Sequence, residues 1–346
     1  MADIMRSMLV REIGEFPLID KLAQAIAEDN GSLIQKLDES GFRTVLTIGD
    51  DAAAWDGPPG IRVLTTDTMV EAVHFNLDYT DWRDLGWKAL ATNLSDIAAM
   101  GCSPTYSVVT LGLRGDLPVE GLLDMYRGMM DVSTKHGGAL VGGDIVKSPV
   151  FFVTVAMEGA SPGSGATILR RDTAKPGDLI AVTGHLGCSS GGLRMLMSGE
   201  EVQSEAARNH LRDAHNRPVP QIKTGLLLAE HGVYTAMDIS DGLVNDLAKM
   251  CRASKVGARL NADSIPADDI LKASFPDDWL DLALGGGEDY ELLFTASASA
   301  MNDLQSIVDV PISVVGKVTE DENSVVITDS DGNAMAVGHG GWNHFE

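Results

Sequence analysis

The sequence predicts a protein of two α/β domains, and three observations support that prediction. The chain has 346 residues, more than one hydrophobic core usually organises. Short β-branched and apolar runs, which are typical of strands, alternate with segments of helical periodicity in both halves. Clean strand–helix–strand units are too few for a purely parallel sheet. We therefore expect an α/β (α+β) fold of two domains.

Strands in the first half are predicted from apolar runs that end in polar turns. Two segments between them carry helical periodicity, and Leu85, Leu90, Leu94 and Ile97 form the apolar stripe of the first. Gly101 follows that helix as a C-cap, and Pro104 prevents its continuation. The predicted strands are 45–48, 61–66, 106–113, 139–141 and 150–157, and the predicted helices are 81–100 and 119–135.

A boundary is predicted within 159–178, a stretch rich in Gly, Ser and Pro. It divides the chain into domains 1–160 and 161–346. In the second domain, Leu243, Leu247 and Met250 share one face of a helix. The strands predicted there are 179–183, 234–237, 290–295 and 312–318, and helices are expected over much of 187–231.

Composition and charge exclude several classes of function. The chain is 44% hydrophobic and 22% charged, which is ordinary for a globular protein, and it has no apolar run of transmembrane length. The first residues lack the apolar stretch of a signal peptide, so we expect a cytoplasmic protein. A net charge of −24 disfavours nucleic acid and membrane partners. Cys102, Cys188 and Cys251 are widely spaced without a CxxC pair, which disfavours disulfides and structural zinc.

Aspartates recur directly after predicted strands: Asp50-Asp51, Asp67, Asp144 and Asp238. Side chains at strand ends lie at the rim of a sheet, where loops leave room for a ligand. Their carboxylates, with the hydroxyls of neighbouring Thr and Ser residues, are the hard oxygen ligands that Mg²⁺ prefers. The pattern therefore predicts several Mg²⁺ ions that bridge a triphosphate.

Asp96 differs because it lies inside a predicted helix, three residues after Asn93 and among small apolar residues. That setting predicts burial, and a buried aspartate needs a cation or strong hydrogen-bond donors.

Each candidate residue also has a structural explanation. Ser240 or Asp241 could N-cap the following helix, and His74 beside Phe75 could be a packing residue. Arg171 could bind a phosphate or form a surface salt bridge, and Tyr126 on a predicted helix could be a core residue. Trp342 could anchor the tail or stack on an aromatic ring.

The Walker A motif and the protein-kinase catalytic loop are absent from the sequence. A phosphotransferase of the P-loop or protein-kinase class is therefore excluded.

Eleven short motifs between residues 14 and 345 resemble the thiamine-monophosphate kinase family in order and spacing. They are GEFPLI at 14–19, GDDAA at 49–53, TTD at 65–67, HF at 74–75, GWKA at 86–89, NLSDIAAMG at 93–101, VGGD at 141–144, PGD at 176–178, MDISDGL at 237–243, GGEDYEL at 286–292 and GWNHF at 341–345.

This resemblance implies a homodimer with an N-terminal mixed sheet that pairs across the dimer and a C-terminal α/β sandwich. It implies that residues 1–160 bind metal and ATP and that residues 161–346 complete the ATP and substrate site. The implied reaction is direct in-line transfer of a phosphoryl group from ATP to thiamine monophosphate, giving thiamine diphosphate.

The resemblance also implies a role for each matched residue. Asp67 and Asp241 are the catalytic candidates. The implied Mg²⁺ ligands are Asp51, Thr65, Thr66, Asp67, Asp96, Asp144, Asp238 and Asp241. The implied ATP contacts are Tyr126, Gly143, Asp144, Arg171 and Ser240, and the implied thiamine-phosphate contacts are His74, Glu288 and Trp342.

One position departs from the family's pattern. The family commonly has Gly-Asp-Ser after the first strand of its C-terminal domain, and this chain has Gly187-Cys188-Ser189.

Three other functions fit the same motifs. They are another member of the superfamily that includes aminoimidazole ribonucleotide synthetase and selenophosphate synthetase, a non-catalytic nucleotide-binding protein, and a magnesium-dependent phosphatase.

Overall fold

The computed structural model describes residues 8–163, 165–322 and 324–335, which fold into two compact units. Of the described residues, the first unit contains 8–94 and 103–163, and the second contains 95–102, 165–322 and 324–335. Among the described residues, no helix combines the length and the apolar character that crossing a bilayer requires.

The first unit is built around a four-stranded mixed sheet of order β3-β6-β4-β5, with β1 and β2 as a separate antiparallel pair. Only β4 and β5 are parallel to each other. The elements are α1 (Val10–Ile13), α2 (Glu15–Glu39), β1 (Arg43–Leu46), β2 (Ala54–Asp56), β3 (Arg62–Val70), α3 (Trp82–Ala99), β4 (Ser103–Leu113), α4 (Val119–His136), β5 (Ala139–Lys147) and β6 (Phe152–Ala160).

One face of this sheet is buried and the other is exposed in the single chain. Along β6, Val153, Val155 and Met157 are at most 1% exposed, and the residues between them are partly exposed. Successive side chains of a strand point to opposite faces, so this alternation defines a core face and an open face. On the open face, Leu64 is 78% exposed, and Val108 and Val146 are 38% and 40% exposed.

The second unit contains a seven-stranded sheet of order β13-β12-β9-β11-β7-β10-β8. All its pairs are antiparallel except β9 with β12. The elements are β7 (Leu179–Thr183), α5 (Cys188–Ser198), α6 (Glu205–Asn216), α7 (Ile222–Glu230), β8 (Thr235–Asp238), α8 (Leu243–Ser254), β9 (Gly257–Asn261), a 3-10 turn (Ala262–Ser264), α9 (Asp269–Ser274), α10 (Trp279–Gly285), β10 (Leu292–Ala296), α11 (Ala298–Ile307), β11 (Ile312–Thr319), β12 (Val325–Thr328) and β13 (Ala334–Met335).

Most predicted elements are confirmed. The strand 179–183 has both predicted ends, and the stripe of Leu243, Leu247 and Met250 is buried in the second core. The first predicted strand is displaced, because β1 covers Arg43–Leu46 and not 45–48. Four strands were not predicted: β2, β9, β12 and β13. They are short or lie in polar sequence, where periodicity carries little signal.

The predicted placement of the aspartates at strand ends is wrong for Asp67 and Asp144. β3 continues to Val70, so Asp67 lies inside it, and β5 continues to Lys147, so Asp144 lies inside that strand. Both strands extend because their neighbours supply hydrogen-bond partners to the polar residues, with Asp67 opposite Val155 and Asp144 opposite Thr110. Asp238 is the last residue of β8, as expected.

Helices α3 and α4 approach each other closely enough to require glycine. A Cβ atom on Gly86 would lie 1.7 Å from the carbonyl oxygen of Met125, and one on Gly128 would lie 1.9 Å from that of Arg83. The two helix backbones are therefore in direct contact in the first core.

We expect Gly86→Ala to lower the free energy of unfolding by about 3 kcal/mol, because the helices must separate to admit the methyl group. Gly31→Ala is the matched control in the interior of α2, where a Cβ would meet nothing within 4 Å. It should raise stability by about 0.5–1 kcal/mol through helix propensity. Urea denaturation of both variants measures the difference, and equal stabilities would contradict the close contact.

Candidate active site

Two loops of the second unit are joined by backbone hydrogen bonds. The amide of Ile239 donates to Glu291 O at 2.8 Å, that of Tyr290 to Ile239 O at 3.0 Å, and that of Glu288 to Ser240 O at 2.8 Å. These bonds continue the antiparallel pairing of β8 with β10, in which Leu292 lies opposite Asp238. They therefore hold the acidic turn 238–242 against the glycine-rich turn 285–289, two motifs about fifty residues apart in sequence.

The turn that carries Asp241 is fixed by a buried carboxylate. Asp246 is fully buried, and its Oδ2 accepts the amides of Ser240 at 3.0 Å and Asp241 at 2.9 Å. Lys249 Nζ donates to Asp246 Oδ1 at 2.8 Å and also pairs with Asp241. Desolvation raises the pKa of Asp246, and Lys249 opposes that effect. Sequence reasoning missed both residues, although their i, i+3 spacing on the helix was a usable signal.

Asp238 has a partner that was also missed. The hydroxyl of Ser95 donates to Asp238 Oδ2 at 2.7 Å, and Ser95 is fully buried. Ser95 precedes Asp96 in α3, so this bond ties the turn of helix that carries Asp96 to the end of β8 within the second unit. Asp96 itself is partly exposed. The predicted burial of Asp96 is therefore wrong, although Asn93 and Ser95 beside it are fully buried.

The donor set of the second unit fits the chemistry of Mg²⁺. Asp238 and Asp241 offer carboxylate oxygens on a backbone fixed by other residues, and Ser240 adds a hydroxyl between them. Within either unit, no three of the predicted aspartate ligands among the described residues lie with their carboxylate oxygens within 4.8 Å of one another. In this chain the negative charge of Asp241 is offset by Lys249.

Glu288 is held in an uncommon backbone conformation. Its φ is +63°, in the left-handed region that non-glycine residues seldom adopt. Its Oε2 lies 3.5 Å from His215 Nδ1, and that same nitrogen lies 3.2 Å from Ser189 Oγ. His215 is only 3% exposed. The buried imidazole therefore lies against Glu288 from the interior of the unit, a contact that the sequence did not predict.

Two further carboxyl groups flank Glu288. Asp289 accepts the amide of Gly187 at 2.8 Å and that of Ser189 at 3.3 Å, at the start of α5. The hydroxyl of Thr183 donates to Glu291. Desolvation raises the pKa of Asp289 to about 8 and that of Glu291 to about 7. This corner of the unit therefore carries less negative charge at neutral pH than its sequence suggests.

The first unit does not bring Asp67 and Asp144 together. Across the sheet, Asp67 of β3 lies opposite Val155 of β6, and Val155 lies opposite Val109 of β4. Val109 in turn lies opposite Gly143 of β5. Asp144 is one residue beyond Gly143 and so points to the opposite face, on the other edge strand. Three strand spacings separate the two edges, or roughly 14 Å. Asp144 lies on the open face with Leu64 and Val108.

The other residues predicted near Asp67 have distinct surroundings. Thr66 points to the face opposite Thr65 and Asp67, and its hydroxyl donates to Val155 O at 2.9 Å. His74 Nδ1 accepts the amide of Val70 at 3.1 Å. Asp51 is exposed, and its amide donates to Asp50 Oδ1 at 2.8 Å.

The predicted nucleotide contacts lie in both units. Tyr126 is 6% exposed in α4, and burial raises the pKa of its hydroxyl. Gly143 is required sterically, because a Cβ there would lie 2.1 Å from Val109 O. Arg171 is exposed, and its side chain forms no hydrogen bond or ion pair within the described part of the chain. Its neighbours Arg170 and Asp172 pair bidentately at 2.8 and 2.6 Å. Trp342 lies outside the described residues.

The fold and these acidic turns define a member of the AIR synthase related proteins. The N-terminal domain model of that group matches residues 49–160, and its C-terminal domain model matches residues 175–329.

Similarity to individual proteins narrows this class. The chain is 35% identical over 305 residues to thiamine-monophosphate kinase of Bacillus subtilis (strain 168), covering 86% of this chain and 93% of that protein. It is 36% identical to the Escherichia coli (strain K12) protein of the same name, covering 87% and 92%. The chain belongs to the thiamine-monophosphate kinase family.

Solved structures agree with this assignment. The crystal structure of thiamine-monophosphate kinase from Stenotrophomonas maltophilia K279a is 34% identical with a TM-score of 0.78, covering 90% of this chain and 97% of that one. The structure of AaThiL complexed with AMPPCP and TMP is 30% identical with a TM-score of 0.74, covering 98% and 100%. The hydrogenase maturation protein HypE, at 16% identity and a TM-score of 0.71, shares the fold.

The raised pKa of Glu291 predicts how stability depends on pH. Between its ordinary value of 4.5 and about 7, the folded chain keeps a proton that the unfolded chain has released. This proton's contribution to the free energy of unfolding is complete below about pH 4.5 and is lost as the pH rises through 7. Each unit of pKa difference corresponds to roughly 1.4 kcal/mol. Between pH 5 and pH 8, we expect the free energy of unfolding of wild type to fall. In Glu291→Gln, which has no carboxyl group to titrate at this position, the fall should be smaller by roughly 1–3 kcal/mol.

Urea denaturation of wild type and Glu291→Gln at several pH values tests this expectation. Glu230→Gln, at the exposed end of α7, is the control and should keep the wild-type pH profile. An unchanged profile in Glu291→Gln would show that this carboxyl group does not titrate with folding.

Proposed function

We propose that this chain transfers the γ-phosphoryl group of ATP to thiamine monophosphate, giving thiamine diphosphate and ADP. Membership of the thiamine-monophosphate kinase family supports this reaction. The observation that carries it is the likeness over 98% of the chain to AaThiL complexed with AMPPCP, an ATP analogue, and TMP, thiamine monophosphate. Because nearly the whole chain aligns with a protein that holds both kinds of ligand, the proposal covers both substrates.

Mg²⁺ is the proposed cofactor, because the candidate ligands offer only oxygen atoms. When bound, such ions would neutralise phosphate charge and stabilise the charge on the transferring group. We propose Asp67 and Asp241 as the catalytically essential carboxylates. The full proposed ligand set is Asp51, Thr65, Thr66, Asp67, Asp96, Asp144, Asp238 and Asp241.

The chain's own residues support direct in-line transfer without a covalent intermediate. A phosphate monoester is already anionic at neutral pH, so the acceptor oxygen needs no general base. Desolvation raises the pKa of Cys188 to about 12 and those of Cys102 and Cys251 to about 11. The three thiols are therefore neutral at physiological pH and are poor nucleophiles.

The substrate contacts follow the family motifs. We propose Tyr126, Gly143, Asp144, Arg171 and Ser240 for ATP, and His74, Glu288 and Trp342 for thiamine monophosphate. The free guanidinium of Arg171 suits a phosphate, and the carboxylate of Glu288 suits the cationic thiazolium ring. In this scheme, domain 1–160 binds metal and ATP, domain 161–346 completes the ATP and substrate site, and the protein acts in the cytoplasm.

A homodimer is proposed from the open face of the first sheet. Leu64, Val108 and Val146 expose apolar side chains on one face of a sheet in which the outer edges of β3 and β5 pair with no other strand of the described residues. Exposed apolar patches and open edges are typical of interaction surfaces. If the open faces of two copies pack together, Asp144 of each copy would lie at the interface, whereas Asp67 points to the core face of its own sheet.

The reaction is tested by measuring ADP release with Mg²⁺ and ATP, with and without thiamine monophosphate, while thiamine diphosphate is quantified by chromatography. We expect ADP only with the acceptor, in equal amount to thiamine diphosphate. Release of ADP and phosphate without the acceptor would indicate a phosphatase. In the same assay, Asp67→Asn and Asp241→Asn should each lower kcat at least about 100-fold because a ligand charge is lost.

Asp303→Asn on the exposed side of α11 is the matched control and should keep wild-type kcat. Circular dichroism and urea denaturation check that the variants are folded. Near-normal turnover in Asp67→Asn and Asp241→Asn would contradict their assignment as ligands, and a protein that stays labelled by γ-labelled ATP would contradict direct transfer.

The dimer is tested with Leu64→Asp, which places a charge on the open face. We expect wild type to sediment as a dimer and Leu64→Asp as a monomer, since burying an unpaired carboxylate is costly. Val219→Asp replaces a similarly exposed residue of the second unit and should remain dimeric. A monomeric wild-type protein would refute the proposal.

A further inference from the structure

Three side chains with metal-binding chemistry converge in the second unit, none of them among the predicted Mg²⁺ ligands. Cys188 Sγ lies 4.0 Å from His210 Nε2, and His210 Nε2 lies 3.5 Å from Asp268 Oδ2. All three ligand atoms lie within 4.8 Å of one another, the only such group within the described residues. Cys188, His210 and Asp268 are named here the Cys–His–Asp cluster.

The chemistry of this cluster differs from that of the acidic turns. A thiolate, an imidazole and one carboxylate are typical ligands of Zn²⁺ and similar borderline-soft divalent ions, whereas Mg²⁺ takes oxygen ligands. Tetrahedral Zn²⁺ with these ligands requires ligand-to-ligand distances of roughly 3.3–3.6 Å, given bonds of about 2.0–2.3 Å. Small side-chain movements would bring the observed distances into that range.

Packed helices position the three side chains of the Cys–His–Asp cluster. Cys188 is the first residue of α5, His210 lies on α6, and Asp268 caps α9 by accepting the amide of Ile270 at 2.6 Å. The backbones of α5 and α6 are in contact, because a Cβ on Gly192 would lie 2.1 Å from Leu211 O. Ligands fixed by packed helices lose little freedom when they bind an ion, which favours affinity.

Access and charge also fit a cation. The side chain of His210 is 42% exposed and that of Asp268 is 22% exposed, so an ion can reach the cluster from solvent, while Cys188 closes its inner side at 7% exposure. Asp268 adds negative potential at the thiol. One coordination position would stay open to water, as in sites with three protein ligands.

We propose that Cys188, His210 and Asp268 form a binding site for one Zn²⁺ or similar borderline-soft divalent ion that links helices α5, α6 and α9. On binding, the thiol of Cys188 releases its proton to solvent and its thiolate sulfur bonds to the metal, with no change in oxidation state. The site differs from the proposed Mg²⁺ sites in ligand type and shares no residue with them. It depends on Cys188, where the family commonly has aspartate.

Cobalt is the probe, because Co²⁺ replaces Zn²⁺ in such sites and a Co²⁺–thiolate bond gives a near-ultraviolet charge-transfer band. The reduced, metal-free full-length protein is titrated with Co²⁺ in excess Mg²⁺, which occupies the oxygen sites. We expect the band to saturate at one Co²⁺ per chain, with release of one proton, and to disappear when Zn²⁺ is added.

Two variants identify the ligands. Cys188→Ser should abolish the band, and His210→Gln, at an exposed position that tolerates substitution, should weaken Co²⁺ binding at least tenfold. Cys251→Ser and His231→Gln are controls in the same unit and should bind as wild type does. The proposal is overturned if wild type shows no band, if the band survives in Cys188→Ser, or if Cys251→Ser alone removes it. None of these readouts depends on kinase activity.

Discussion

The antiparallel pairing of β8 with β10 is the constraint on which the candidate site depends. It places Leu292 opposite Asp238, and the hydrogen bonds beyond the strand ends then hold turn 238–242 against turn 285–289. Asp246 completes this arrangement by accepting the amides of Ser240 and Asp241. These bonds use backbone groups and a buried carboxylate, and they fix the backbone that carries Asp238, Asp241 and Glu288.

Charge is distributed unevenly around this turn. The chain carries a formal charge of −24, yet the ammonium group of Lys249 offsets the charges of Asp241 and Asp246. Desolvation raises the pKa of Asp289 to about 8 and that of Glu291 to about 7. The negative potential is therefore concentrated on fewer carboxylates than the sequence suggests. A protein that must bring ATP and a phosphate ester together needs carboxylates for cations, and it needs to limit repulsion elsewhere.

The first unit carries its candidate aspartates on a four-stranded sheet with one open face. Asp67 and Asp144 lie on opposite edge strands and on opposite faces. An open apolar face next to Asp144 gives a physical reason for two copies to associate. The Cys–His–Asp cluster lies in the other unit and uses different chemistry.

The sequence by itself determined the alternation of strands and helices, the limits of β7, the buried stripe of α8 and the family motifs. These features depend on local periodicity and on short residue patterns, which a single chain displays directly. Only the tertiary structure decided that β3 and β5 run past their aspartates, because a strand extends as far as its neighbours supply hydrogen-bond partners. The same holds for Ser95 beside Asp238 and for His215 beside Glu288. Each of these pairs joins residues more than seventy positions apart, and the packing of whole elements creates proximity that no local pattern encodes.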